Sequence, residues 1–244
     1  MRREDKLTHP GAELGVLRPE ATPDWLRPAL GVDSADTQRR IGANTMARQM
    51  KRLPAMKKES AVLILLKGTS VEDAEVLLTH RSPSMRSHSG QIAFPGGRRD
   101  PEDATLVDVA LREAWEETGL DPRSVTPLEK WEELHIRATG NPVHPVLAYW
   151  HEPGEVWPAS PEETDDVFLV PVRELIEPEN RFMVGLGPWK GPAFHVRDYV
   201  VWGFTGGILA TLLDHAGWSL EWDNNSVHEL RDTLKRSRNN EKMI

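Results

Sequence analysis

The stretch Leu111-Arg-Glu-Ala-Trp-Glu-Glu-Thr-Gly119 decides the reading of this chain. Wound at about 100° per residue, it sets Glu113, Glu116 and Glu117 at i, i+3 and i+4, so three carboxylates share one face. Val107, Ala110, Leu111, Ala114 and Trp115 project from the other side. The spacing therefore predicts an amphipathic helix over 103–118 with its apolar back against a sheet. Asp100-Pro-Glu-Asp103 marks its start and Gly119 its end. Like charges this close repel by roughly 0.2–0.5 kcal/mol per pair on an exposed helix. Either Arg112, which reaches Glu116 at i+4, relieves a solvated acidic face, or the face holds a hard divalent cation, Mg²⁺ or Mn²⁺, that prefers carboxylate oxygen.

Around this helix the chain alternates strand-like and helical segments. Strands are expected at 61–66 and 74–79, joined as a hairpin across the turn-rich Gly68-Thr-Ser-Val-Glu-Asp73, and at 91–94, 131–136, 143–150, 167–172 and 195–201. Further helices are expected at 206–215 and 226–238. Such alternation predicts an α/β or α+β layered domain. Residues 1–57, with scattered prolines and a loose helical spacing of Ile41, Met46 and Met50, read as an N-terminal extension. Its expected role is a packing arm or a subunit contact, the latter in a homodimer. The main domain is placed at 58–225, and 226–244 is a C-terminal helix with a polar tail expected to fray.

Composition narrows the function. The chain has 244 residues, 39% of them hydrophobic, and its longest aliphatic run is Ala61-Val-Leu-Ile-Leu-Leu66, far short of a membrane span. No apolar stretch follows Met1-Arg-Arg, so no secretory signal is expected and a cytoplasmic location is the default. With no cysteine, thiolate catalysis, iron–sulfur clusters and disulfides are excluded. No histidine pair has zinc-ligand spacing. A net charge of −8 disfavours nucleic acid as a partner, although a local arginine cluster or a metal ion would still admit a small anion.

The segment before the helix, Phe94-Pro-Gly-Gly97, places two glycines after an expected strand. Strand, glycine turn, acidic loop and triple-Glu helix together resemble the Nudix box of the Nudix hydrolases. Arg112-Glu-Ala-Trp-Glu-Glu-Thr-Gly-Leu120 fits its second half position by position, with Ala114 where a larger aliphatic is usual. The first half departs from the pattern because the loop is one residue longer. Taking Gly97 as the box glycine puts Asp103 in the slot of the first Glu, with Glu102 as the alternative. Upstream, Leu77-Leu-Thr-His-Arg-Ser-Pro-Ser-Met-Arg-Ser-His-Ser-Gly-Gln-Ile-Ala-Phe-Pro-Gly-Gly97 looks like the signature of the coenzyme A pyrophosphatase branch, with all eleven fixed positions present.

The resemblance implies a Nudix-type α/β/α sandwich with a mixed sheet. It implies hydrolysis of the pyrophosphate of coenzyme A or a derivative to 3′,5′-ADP and 4′-phosphopantetheine. It further implies Mg²⁺ or Mn²⁺ held by Glu113, Glu116, Glu117 and the Gly96 carbonyl. Arg112 would orient the glutamates, Glu163, preferred over Glu162, would supply a further base or ligand from a loop, and one of the helix glutamates or Glu163 would take the proton from the attacking water. Arg81 and Arg86 are candidate phosphate contacts, with Ser82, Gly96 and Gly97 beside them in the substrate site. His80 and His88 are weaker candidates. Trp202, Gly206 and Gly207 precede a helix whose N-terminus would suit phosphate, but core packing is the stronger reading. The rivals are hydrolysis of ADP-ribose, a dinucleotide or an oxidised nucleotide, and a non-catalytic Nudix-fold regulatory module.

Overall fold

The computed structural model describes residues 15–41, 59–85, 87–135 and 141–242. Leu63 to Leu66 is aliphatic at every position because β1 (Ser60–Lys67) is covered on both faces. Ala61, Leu63 and Leu65 point into one core layer, while Ile64 and Leu66 point into the other. β1 pairs antiparallel with β2 (Glu75–Arg81) and β4 (Gly96–Arg98), and parallel with β7 (Pro142–Trp150). β2 also carries β3 (Ile92–Ala93) and β8 (Thr164–Pro171), and β7 carries β5 (Val125–Lys130) and β6 (Leu134–His135). This eight-stranded mixed sheet is the middle layer. A second sheet of four strands contains β9 (Arg181–Leu186), β10 (Trp189–Val196), β11 (Tyr199–Val201) and β12 (Val227–Glu229).

The helices are α1 (Ser34–Ile41), α2 (Leu106–Thr118), α3 (Val172–Ile176), α4 (Gly203–His215) and α5 (Leu230–Leu234). α2 buries Val107, Ala110, Leu111 and Ala114 against Ala61, Leu63 and Leu65 of β1 and Val146 and Ala148 of β7. α4 lies in the opposite layer, where Ile208, Leu209, Leu212 and Leu213 pack with Leu26, Ala29 and Ile41 from the N-terminal segment. The result is the α/β/α layering. No helix among the described residues is long and apolar enough to cross a membrane.

Several local expectations are corrected. α2 begins at Leu106 because Thr105 caps it: its side chain accepts from the Asp108 amide, and the Asp108 carboxylate accepts from the Thr105 amide. Trp115 is only half-buried and outside the core layer. The strand expected at 131–136 lies earlier, as β5, with only Leu134–His135 paired afterwards and residue 136 outside the described residues. Pro127 and a register slip before Glu129 hide the alternation there. The single strand expected at 195–201 is a hairpin of β10 and β11, turned at Arg197 with φ 53°, a turn with no glycine to signal it. Within 226–238, Val227–Glu229 pairs parallel with β9 and only Leu230–Leu234 is helical, started by the Glu229 side chain accepting from Asp232 N. The polar tail is docked, with Asn239 fully buried. At the start of α4, Gly206 and Gly207 are buried, and a Cβ on either would strike Pro192 O or Ile41, so these glycines serve packing. Met46 and Met50 lie outside the described residues.

Candidate active site

α2 is fixed at both ends, and that fixes its carboxylates. At the start, Arg112 clamps Asp103 through two bonds, Nε to Oδ1 at 3.0 Å and Nη2 to Oδ2 at 2.9 Å, and Nη2 also donates to Arg98 O at 3.0 Å. The Asp103 carboxylate in turn accepts from Asp100 N at 2.8 Å, while Glu102 is exposed. Of the two acids weighed for the first box position, Asp103 is therefore the one that supports the loop. At the C-terminal end, orphan carbonyls of Glu117 and Thr118 accept from Ala159 N and Trp157 N, both at 3.0 Å, and Ser160 Oγ donates to Glu116 O at 3.0 Å. These bonds carry the loop with Glu162 and Glu163 onto the acidic face. They were not legible in the sequence, since only backbone groups and one serine make them.

The three glutamates have different surroundings. Glu116 is half-exposed and held by Arg112 Nη1 at 3.2 Å, and Glu113 accepts from the same nitrogen at 3.0 Å. Glu117 is 3% exposed; it accepts from Gly96 N at 3.2 Å and faces Arg81 Nη1 at 3.6 Å. Burial raises the pKa of Glu113, an effect that Arg112 opposes. Burial pushes Glu117 up to about 8 against the pull of Arg81, with the Glu113 charge adding to the rise. The charge of Glu163 raises both. Arg112 is raised despite its own burial, because Asp103, Glu113 and Glu116 hold its proton. Gly97 lies so close to the helix that a Cβ would occupy the Glu113 carboxylate, and one on Gly96 would strike the backbone of β1.

Arg81 also donates to Met85 Sδ at 3.1 Å, while its Nε is buried without a partner. Ser82 binds the loop of Glu163 through its amide, to Glu163 O at 2.8 Å, and its hydroxyl pairs with Ser84. His88 Nδ1 bonds Gln91 Oε1, and His80 is buried and paired with Asp165. Arg86 lies outside the described residues. Glu113, Glu117, Glu163, Arg81 and the Gly96 amide thus share one site, and Arg112 stands behind it as an organiser.

Among the described residues no three His, Asp or Glu side chains converge on one point. The site offers the carboxylates of Glu113 and Glu117, with Glu113 and Glu116 both held by Arg112 Nη1 and Glu117 free of any hydrogen bond to a cation. That pair suits a hard cation. Its donors are all oxygen, the Glu113 charge adds to the rise of the buried Glu117, and the one cation facing Glu117 lies beyond hydrogen-bond distance. A cavity of about 560 Å³ lined by Phe182, His195, His228 and Arg236 contains none of these groups. An open carboxylate cleft needs no such enclosure.

The comparisons agree with this geometry. Residues 57–189, more than half of the chain, match the NUDIX domain family. Nudix hydrolase 15, mitochondrial, of Arabidopsis thaliana is 34% identical over 165 residues, which cover 62% of this chain and 56% of that protein. The chain thus spans little more than half the length of that relative. Uncharacterized Nudix hydrolase NudL of Klebsiella pneumoniae (strain 342) is 36% identical over 149 residues, 56% of this chain and 72% of NudL. Among solved structures, the M. smegmatis Nudix hydrolase RenU aligns at 27% identity with a TM-score of 0.39, over 46% of this chain and 70% of its own. With its family match running through the strands, the glycine turn and the glutamate helix that build the site, the chain belongs to the Nudix family.

Proposed function

We propose that this protein is a divalent-metal-dependent hydrolase that cleaves the pyrophosphate of coenzyme A or a derivative, giving 3′,5′-ADP and 4′-phosphopantetheine or its acyl form. The observation that carries the hydrolase reading is the Glu117 carboxylate, buried beside Glu113 with its facing cation beyond hydrogen-bond distance, an arrangement that is costly for a protein unless a cation offsets it. The observation that carries the substrate reading is the segment Leu77 to Gly97, which brings Arg81 to Glu117.

Mg²⁺ or Mn²⁺, held by Glu113 and Glu117 with Glu116 and the Gly96 carbonyl as further donors, would acidify water and neutralise phosphoryl charge. The chain supplies the rest. Glu163, on a loop tied to the end of α2, takes the proton of the attacking water at its carboxylate. The water oxygen bonds to phosphorus, the bridging P–O bond breaks, and the leaving phosphate departs with the electron pair. Arg81 binds a phosphate oxygen, for which a planar guanidinium held by no more than a sulfur contact and a loose ion pair is suited. Arg112 keeps the glutamates in register.

The test is a panel of coenzyme A, acyl-coenzyme A, ADP-ribose and dinucleotides with Mg²⁺ or Mn²⁺, with products separated by chromatography. Coenzyme A should yield 3′,5′-ADP and phosphopantetheine. Free pantetheine, or inorganic phosphate released from the ribose, would overturn the assignment. Turnover confined to ADP-ribose or a dinucleotide would move the enzyme to another Nudix branch.

A further inference from the structure

We infer that Asn239 and Glu241, near the end of the chain, are positioning residues that hold Arg81 at the carboxylate pair and so set substrate affinity. The inference rests on reading Arg81 as a phosphate-binding group.

The tail is built into the fold on both sides. The Asn239 side chain closes on β11 like an added strand residue: Oδ1 accepts from Val200 N at 2.8 Å and Nδ2 donates to Val200 O at 3.0 Å. Its backbone carbonyl faces the other way and accepts from His80 Nε2 at 3.0 Å. A carbonyl only accepts, so the proton on Nε2 is fixed by this contact. His80 immediately precedes Arg81 on β2.

Glu241 joins two elements with its two oxygens. Oε1 accepts from Gln91 Nε2 at 2.6 Å, and Oε2 accepts from Trp202 Nε1 at 2.9 Å. Gln91 Oε1 in turn accepts from His88 Nδ1 at 3.0 Å, which fixes the orientation of the amide. Gly90, at φ +77°, is where the tail approaches: a Cβ there would strike Asn239 O and Glu241 Cα. Only glycine meets both conditions.

From Gln91 and Gly90 the coupling passes directly to Arg81. Arg81 N donates to Gln91 O and Gly90 N donates to Arg81 O, both at 2.9 Å. The guanidinium itself is held weakly, by Met85 Sδ and by Glu117 at 3.6 Å, and its Nε has no partner. With so little holding the head group, the backbone position of Arg81 decides where it lies. That position is set by β8, which pairs Arg81 with Thr164, together with His80 before it in the chain and Gln91 across from it, and the tail contacts the last two.

The contact can be broken and rebuilt by exchanging its chemistry. Gln91→Glu puts two carboxylates face to face, and Glu241→Gln sets two amide nitrogens together unless Gln91 turns away from His88. In the double variant Gln91→Glu/Glu241→Gln every donor again meets an acceptor. The experiment uses the full chain, with coenzyme A and Mn²⁺, and measures kcat, KM, Mn²⁺ affinity and hydrogen exchange of the Arg81 amide.

Glu241→Ala and Gln91→Glu should raise KM about tenfold, as the loss of one charge-assisted contact predicts. In both, kcat and Mn²⁺ affinity should stay within about twofold, and the Arg81 amide should exchange faster. The double variant should return KM and exchange to near wild type. Unchanged KM and exchange in Glu241→Ala, a fall in kcat with KM constant, or no recovery in the double variant would overturn the inference. If wild type ignores coenzyme A, the substrate reading fails by itself. The same measurements on whichever diphosphate is turned over, and the exchange of the Arg81 amide, still decide the role of the tail.

Discussion

Removing the Glu117 charge should stabilise the metal-free protein while abolishing its response to metal. The carboxyl is 3% exposed, and burial pushes its pKa from the ordinary 4.5 up to about 8. For an acid raised on folding, the native state holds the proton more tightly than the unfolded chain. Stability is therefore full below about pH 4.5 and falls as pH rises towards 8. At about 1.4 kcal/mol per pH unit the ceiling on the loss is about 5 kcal/mol. Water entering the cleft and the nearby Arg81 reduce it, and about 2 kcal/mol is a fair expectation at pH 8.5. Glu117→Gln keeps the acceptor for Gly96 N and carries no charge. At this chain length about 2 kcal/mol corresponds to a Tm rise of roughly 4–8 °C. Calorimetry in chelator at pH 4 and 8.5 checks this: variant and wild type should agree at pH 4 and separate at pH 8.5. Adding Mn²⁺ should raise the wild-type Tm and leave the variant unmoved. A variant less stable than wild type at pH 8.5 without metal would refute the account of Glu117 as a buried, uncompensated acid.

Arg112→Ala strands the fully buried Asp103 carboxylate and frees Glu113 and Glu116, so it should cost about 3–5 kcal/mol, read as a lowered denaturation midpoint. Arg112→Lys should recover little of this, because an ammonium cannot make the paired bonds to Asp103 together with those to Arg98 O and the glutamates. Gly97→Ala should leave the fold intact and weaken Mn²⁺ binding by about 10–100-fold in a titration, since the added methyl displaces the Glu113 carboxylate. If Arg81 meets the 3′-phosphate, wild type should prefer coenzyme A over dephospho-coenzyme A by about 10–100-fold in kcat/KM, and Arg81→Ala should erase that preference. Equal losses on both substrates would place Arg81 on the pyrophosphate.

The layering of the fold was legible because β1 and α2 state their environments plainly. An aliphatic run long enough for one strand implies burial on both faces, and a 3.6-residue apolar stripe behind three glutamates implies one buried and one polar face. Gly119 was legible as the end of α2 because the chain needs φ 70° there. What stayed hidden depends on partners distant in sequence. β9 and β12 pair in parallel across some forty residues, and β4 is a three-residue strand whose existence depends on β1. The choice between Asp103 and Glu102 turned on which carboxylate reaches Arg112, a geometric fact that adjacent acids do not reveal. The tail looked ready to fray because it is polar. Asn239, however, is buried with its amide satisfied on both sides by β11, and Glu241 meets two indole or amide donors.

The acidic face divides into parts that are fixed and parts that can respond to a ligand. Asp103, Arg112 and the capped ends of α2 form a closed set of bonds, so Glu113 and Glu117 are presented from a rigid helix and their mutual repulsion cannot be relaxed by moving the backbone. Glu116, half-exposed, is tied through Arg112, and Glu163 lies on the exposed loop. Arg81 stands between these groups: close enough to Glu117 to neutralise part of its charge, yet at 3.6 Å outside a hydrogen bond, with Nε unpaired. Exchanging that loose ion pair for a phosphate oxygen sacrifices no well-formed bond, and it removes from Glu117 the positive charge that would compete with a metal ion. On the proposed reading, the same geometry would let cation and phosphate binding reinforce one another, since each would supply a partner that the other's arrival frees.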